Sequence, residues 1–298
     1  MKTAFLFPGQ GVQVAGMGKE IFDKYEEVRD VFKKASEIAQ MDIEKICFEG
    51  EGINETQNTQ IAIATTSLAM LEVLKNKGIQ ADMAVGLSLG EYPALIYGGY
   101  LSFEDGIRLL KKRGYYMGNY IPKEDYSMAA VIGLDNNVIE KVCDDIRKSG
   151  KFVVPANYNY SAQTAISGNT DAIEEAMERL KEKGAKKVIK LNTSGPFHTE
   201  KLSMAKEMYE RELEQVNFKM GRVPVIKNID GNLYTEKDNI KEILAKHIVS
   251  PVRFDRAIKL MFDNKIDNFI EVGPGKVLTG FVKKENKEAN VCNASELL

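Results

Sequence analysis

The stretch AVGLSLGEYPAL, residues 84–95, constrains the fold more than any other. An apolar run leads into Gly86-x-Ser88-x-Gly90, and a helix-like run follows. This spacing suits a nucleophile elbow. There the backbone turns so sharply from strand to helix that only small residues fit beside the serine, and its hydroxyl stands clear of the sheet. A serine capping a helix after a strand gives the same local pattern, so the stretch alone leaves both readings open.

The rest of the chain supplies a setting. TAFLF (3–7) reads as a buried first strand ending at Pro8. Residues 20–39 place Ile21, Phe22, Tyr25, Val28, Phe32, Ala35 and Ile38 at helical spacing, which predicts one helix. Residues 58–76 predict a long apolar helix, 82–87 a strand, and the run after the elbow a short helix ending at Gly98-Gly99. Ser102 with Asp105 suggests a capping box opening a helix over 103–119. Further on, 223–229 and 268–272 read as strands. Segments near 236–248, 254–264 and beyond Gly275 read as helices, and the charged tail from about Lys283 reads as peripheral. Strands alternating with helices predict an α/β fold with a mainly parallel sheet covered on both faces. The middle differs. Strands at 127–134, 151–158, 162–168 and 186–192, with helices at 136–148 and 171–183, follow the order βαββαβ. That is the ferredoxin-like pattern. The expected division is a core of residues 1–124 and 194–298 with an inserted subdomain over 125–193.

Composition narrows the function. The 298 residues carry 41 basic and 43 acidic side chains, a net charge of −2, so no basic field exists to hold nucleic acid. Three scattered cysteines, Cys47, Cys143 and Cys292, suggest neither a disulfide framework nor a metal site. The first apolar run is too short for a signal peptide, and no stretch is long enough to span a membrane. A cytoplasmic protein is therefore expected. The two histidines, His198 and His247, limit the choice of a base for Ser88.

Four constellations could carry chemistry. FPGQGVQ (7–13) fails the dinucleotide fingerprint, because Val14 stands where its third glycine belongs. The loop is either a plain tight turn or a backbone brought close to a reacting centre. In the second case the N–H groups of Gln10 and Leu89 would form an oxyanion hole. His198, after the rigid Gly195-Pro196-Phe197, competes with His247, which lies late in a predicted helix and suits its macrodipole. Arg113 shares a helix face with Leu109, Leu110, Tyr116 and Met117. It is either a snorkelling or structurally paired arginine, or a fork for a substrate carboxylate. EVGPGKVLTG (271–280) is no Walker A loop, since Ile270 and Val277 occupy positions that need Gly and Ser or Thr. A strand–turn–helix role fits it.

Taken in order, FPGQG, GLSLGEY, the helical Arg113, GPFH, SPVRF and EVGPGKVLTG resemble the malonyl-CoA:acyl carrier protein transacylase family over nearly the whole chain. The resemblance implies an α/β-hydrolase-like core with an inserted ferredoxin-like subdomain. It implies ping-pong transfer of malonyl from malonyl-CoA through Ser88 to the phosphopantetheine thiol of an acyl carrier protein, in fatty-acid or polyketide synthesis. It implies His198 as base, Arg113 as the carboxylate grip, Gln10 and Leu89 as oxyanion donors, and Phe197 as the bulk that crowds an α-methyl branch. The main-chain carbonyl of His247 would orient the base. No cofactor beyond the substrate thioester and no metal are implied, and family members often act as monomers. Two positions depart from the pattern: Leu87 replaces a histidine before the nucleophile, and His247 replaces an amide side chain. Two rivals remain. One is a serine hydrolase, disfavoured by the lack of a marked acid before His198 and by Arg113. The other is a non-catalytic binding protein that kept the fold.

Overall fold

The computed structural model describes residues 1–193 and 195–298. The expected boundary at Ser194 therefore lies outside the described residues. The first part of the chain comprises β1 (Thr3–Phe7), α1 (Lys19–Lys24), α2 (Glu26–Ala39), α3 (Ile43–Phe48), α4 (Thr56–Asn76), β2 (Met83–Gly86), α5 (Glu91–Gly98) and α6 (Phe103–Asn119). The middle comprises β3 (Tyr126–Ile132), α7 (Asn136–Lys148), β4 (Val153–Tyr160), β5 (Gln163–Asn169), α8 (Thr170–Glu182) and β6 (Lys187–Leu191). The last part comprises α9 (Ser203–Glu214), β7 (Val225–Ile226), α10 (Ile240–Ile248), β8 (Val252–Arg253), α11 (Phe254–Asp263), β9 (Asn268–Glu271), α12 (Val277–Glu285) and β10 (Asn290–Asn293).

One sheet runs β10-β9-β1-β2-β7 with every pairing parallel. Alternate residues of its strands enter opposite cores. Phe5, Phe7 and Ala84 join one cluster with α4, while Ala4, Leu6, Met83 and Val85 join the other with α11 and α12. Burial on both faces explains why these strands are apolar throughout. The second sheet runs β6-β3-β5-β4-β8. Its first four strands are antiparallel neighbours in ferredoxin-like order, and β8 adds in parallel through Asn157↔Val252 and Tyr158↔Arg253. One face packs on α7 and α8 through Ala129, Val131 and Ile166.

Four expectations change. The helix over 20–39 is two helices, because Tyr25 is extended (φ −121°, ψ 129°). Arg29 Nη1 donates to the carbonyls of Phe22 and Asp23 (3.0 and 3.3 Å), which offsets the helical bonds lost at the break. The strand over 223–229 shrinks to Val225–Ile226, because the chain turns back at once and Lys227 N bonds Asn232 O (2.8 Å). At α6, Ser102 Oγ accepts from Asp105 N (3.1 Å), but Asp105 bonds the Ser102 hydroxyl instead of its backbone N–H, so only half a capping box forms. The tail is not peripheral: β10 is an edge strand of the parallel sheet. Asn293 Nδ2 donates to the carbonyls of Gly273 and Gly275 (3.0 and 2.6 Å), and Ala294 is fully buried. Its short polar-ended sequence, NVCN, carries no period that marks a strand.

Candidate active site

Strands β1 and β2 are parallel neighbours, with Phe7 opposite Gly86, so the loops that follow them emerge side by side at the carboxyl end of the sheet. Ligands bind at such ends in open α/β sheets. After β2 the chain reverses within two residues, and Ser88 takes a left-handed conformation, φ 54°. A non-glycine residue there is strained and needs surrounding structure to hold it. The flanking glycines make the turn possible. A Cβ on Gly86 would lie 1.9 Å from the Gly90 carbonyl carbon, and one on Gly90 would lie 2.1 Å from Phe7 O.

Asn228, just past β7, locks this elbow. Its Oδ1 accepts from Ser88 N (2.8 Å) and its Nδ2 donates to Gly86 O (2.7 Å). Its own N–H donates to Glu91 Oε1 (3.3 Å), which also accepts from the Tyr234 hydroxyl (2.7 Å). Neither Asn228 nor Glu91 was singled out from sequence. Glu91 stands in the GLSLGEY stretch, but its partners lie more than a hundred residues away.

Ser88 Oγ lies 2.8 Å from His198 Nε2. His198 Nδ1 lies 3.0 Å from the carbonyl oxygen of His247, in the last turn of α10, where helical carbonyls lack full intrahelical partners. A carbonyl only accepts, so Nδ1 carries the proton and Nε2 is the acceptor for the Ser88 hydroxyl. His198 is also left-handed, φ 58°, in a turn tied by Thr199 Oγ1 donating to Pro196 O (2.7 Å). Burial, then the neighbouring His247 and the Arg113 charge, hold the His198 imidazole well below its usual pKa, so it is neutral at pH 7. The His247 ring stacks on it, centroids 4.9 Å apart, and directs Nδ1 to within 3.0 Å of Glu91 Oε2. The structure thus brings His198, and not the His247 ring, to the serine.

Arg113 is 1% exposed. Its Nη2 donates to Ser88 Oγ (3.1 Å), its Nη1 donates to Gln60 Oε1 (2.6 Å), and its guanidinium lies 5.7 Å from the Tyr92 ring centre. Its Nε has no partner. Among the described residues no carboxylate pairs with it, so the snorkelling and ion-pair readings both fail. An unpaired buried cation is costly unless an anion arrives.

Ser88 and His198 open on a cavity of about 310 Å³, which Gln60 also lines. Gln10, Leu89, Phe197 and Leu87 line it, with Asn157, Asn159 and Gln163 from the second sheet opposite. A groove of about 530 Å³ beside Asp135, Arg256 and Glu285 lies apart from Ser88 and His198. Among the described residues no group of three or more His, Cys, Asp or Glu could hold a metal ion.

A strained serine bonded to a buried neutral histidine, at the carboxyl end of a parallel sheet, defines an enzyme of the serine acyl-transfer class. The profile of the acyl transferase domain family matches residues 4–298. The malonyl CoA-acyl carrier protein transacylase of Bacillus subtilis is 41% identical over 99% of this chain and 94% of its own length. The crystal structure of the protein of that name from Clostridium perfringens superposes with a TM-score of 0.95 at 41% identity, covering 100% of this chain and 96% of that one. A malonyl-transacylase solved in complex with its type II polyketide acyl-carrier protein gives a TM-score of 0.93 at 31% identity, covering 98% and 96%. The chain belongs to the malonyl-CoA:acyl carrier protein transacylase family.

Proposed function

We propose that this enzyme moves a malonyl group from malonyl-CoA to the phosphopantetheine thiol of an acyl carrier protein, in two half-reactions through a malonyl ester on Ser88. Arg113 carries the reading: it is a buried cation with no carboxylate partner among the described residues, in contact with Ser88 Oγ. In the first half-reaction Ser88 Oγ attacks the thioester carbonyl and His198 Nε2 takes its proton. The carbonyl oxygen becomes an oxyanion facing the N–H groups of Gln10 and Leu89. Collapse breaks the C–S bond, and the His198 proton goes to the departing thiolate of coenzyme A. In the second half-reaction His198 takes the proton of the carrier thiol, whose sulfur attacks the ester carbon. Ser88 Oγ then leaves and recovers that proton.

Arg113 would pair with the malonyl carboxylate by a planar fork, and Phe197 would crowd an α-branched acyl group. The His247 carbonyl holds the His198 tautomer, the task that a triad aspartate performs elsewhere. Because a backbone oxygen does this work, histidine in place of an amide side chain leaves it intact. The carrier protein is the partner, and the reaction as written needs no bound cofactor. Among the described residues no helix is long and apolar enough to cross a membrane.

The test is intact mass. Mixing with malonyl-CoA should add one malonyl group to a peptide containing Ser88, and adding carrier protein should remove it. A Ser88→Ala protein that still transferred malonyl at near the original rate would defeat the reading.

A further inference from the structure

Gln60, on α4, is almost fully buried, and what it exposes lines the cavity with Ser88 and His198. Helices α4 and α6 approach closely there, since a Cβ on Gly114 would lie 2.9 Å from Gln57 Cα and 3.0 Å from Thr56 O. That approach places the Gln60 amide against the guanidinium. A guanidinium only donates, so the amide must turn Oε1 to it, at 2.6 Å. The amide nitrogen is left facing Met117 Sδ at 3.6 Å, a weak acceptor.

Among the described residues the partners of Arg113 are thus all neutral: an amide oxygen, a hydroxyl and an aromatic face. Each satisfies donors or polarises toward the cation, and none cancels its charge. A glutamate at position 60 would occupy nearly the same volume and would cancel it. We infer that Gln60 is a positioning residue for acyl selection: it fixes the Arg113 fork with a neutral acceptor and so leaves the full charge for the carboxylate of the incoming acyl group. This inference rests on Arg113 being the carboxylate site.

The test compares kcat/KM for malonyl-CoA and acetyl-CoA in the wild type and four variants: Gln60→Glu, Gln60→Met, Arg113→Ala, and the last two combined. Gln60→Glu should lower the malonyl value about 100-fold or more, because an internal carboxylate competes for the fork. The acetyl value should change by less than about 5-fold, since acetyl has no carboxylate to lose. Acetyl turnover also serves as the check that each variant folds. Gln60→Met keeps the volume but loses the acceptor, and should lower the malonyl value roughly 10-fold with the malonyl-to-acetyl ratio moving the same way. In the Arg113→Ala background Gln60→Met should add almost nothing, because Gln60 acts through Arg113. An equal fall for both donors would overturn the inference and make Gln60 structural. So would an unchanged effect of Gln60→Met without Arg113. If Arg113→Ala itself leaves the malonyl-to-acetyl ratio intact, the carboxylate site is what fails.

Discussion

The two sheets meet at one cavity and bring different chemistry to it. The parallel sheet and the helices around it deliver Ser88 and Arg113, and the turn between β6 and α9 brings His198 to them, held by strained backbone and buried polar networks. The second sheet lines the same cavity with Met128, Ala130, Asn157, Asn159, Gln163 and Ala165, none of which titrates. Parallel strands end together, so their loops converge reactive groups at one edge. An antiparallel sheet instead offers a face, and this one buries its other face on α7 and α8. The contrast assigns reaction rate to the first region and fit to the second. Substitutions can break that assignment.

The largest effect belongs to the serine–histidine pair. Ser88→Ala and His198→Ala should each lower malonyl transfer by several orders of magnitude, and the double variant should be little worse, because the two act as a unit. His247→Gln should be mild, since the group in use there is a carbonyl. The reverse ranking, read from single-turnover acylation, would move the base to His247. The pH dependence sharpens the point. His198 has its affinity for a proton lowered from the ordinary 6.5, first by burial. The acid limb of the pH–rate profile should therefore lie below pH 6.5. The unfolded chain takes up a proton near pH 6.5 that the native histidine refuses. Stability should thus fall as pH drops from there toward the native pKa, and His198→Ala should remove that part of the slope. A limb at or above 6.5 would contradict the burial argument.

Arg113 comes next. Arg113→Ala leaves a desolvated carboxylate facing no cation, which costs about 2–5 kcal/mol with malonyl-CoA, or roughly 30- to several-thousand-fold. An acetyl donor should lose little. The comparison of regions weakens if both donors fall equally, because Arg113 would then be scaffold like its neighbours on α6.

The contrast also explains what could be read in advance. Ser88, His198 and Arg113 each sit in a distinctive local frame: a serine between glycines, a histidine after Gly-Pro-Phe, one charge on an apolar helix face. The alternation of strands and helices and the βαββαβ order are local too, and they give both sheets. Asn228, Glu91 and Gln60 escaped because their roles arise from contacts 53 to 156 residues apart in sequence. An asparagine after a strand looks the same whether it caps a turn or locks an elbow. β10 and β8 escaped because NVCN is polar at both ends and VR is a bare pair, so neither offers the apolar run that marked β2 and β9. β8 joins the second sheet from outside the expected 125–193 segment, so that segment does not complete its own sheet.

The smallest expected effect tests the second sheet. Asn157 and Asn159 alternate along β4, where register shifts at Pro155/Asn157 and Tyr158/Tyr160 re-aim the strand, and both line the cavity across from the elbow. Their amides can donate and accept, which suits an uncharged polar arm of the thioester that enters past them. Such contacts are made equally in the ground state and the transition state, so they contribute uniform binding. A net hydrogen bond is worth about 0.5–1.5 kcal/mol. Asn159→Ala should therefore weaken the apparent affinity for malonyl-CoA, read as a KM higher by roughly 2- to 10-fold, and leave turnover and the malonyl-to-acetyl ratio where they were. If saturated turnover instead dropped about 100-fold or more, the second sheet would hold a transition-state contact, and the division of labour between the two regions would not stand.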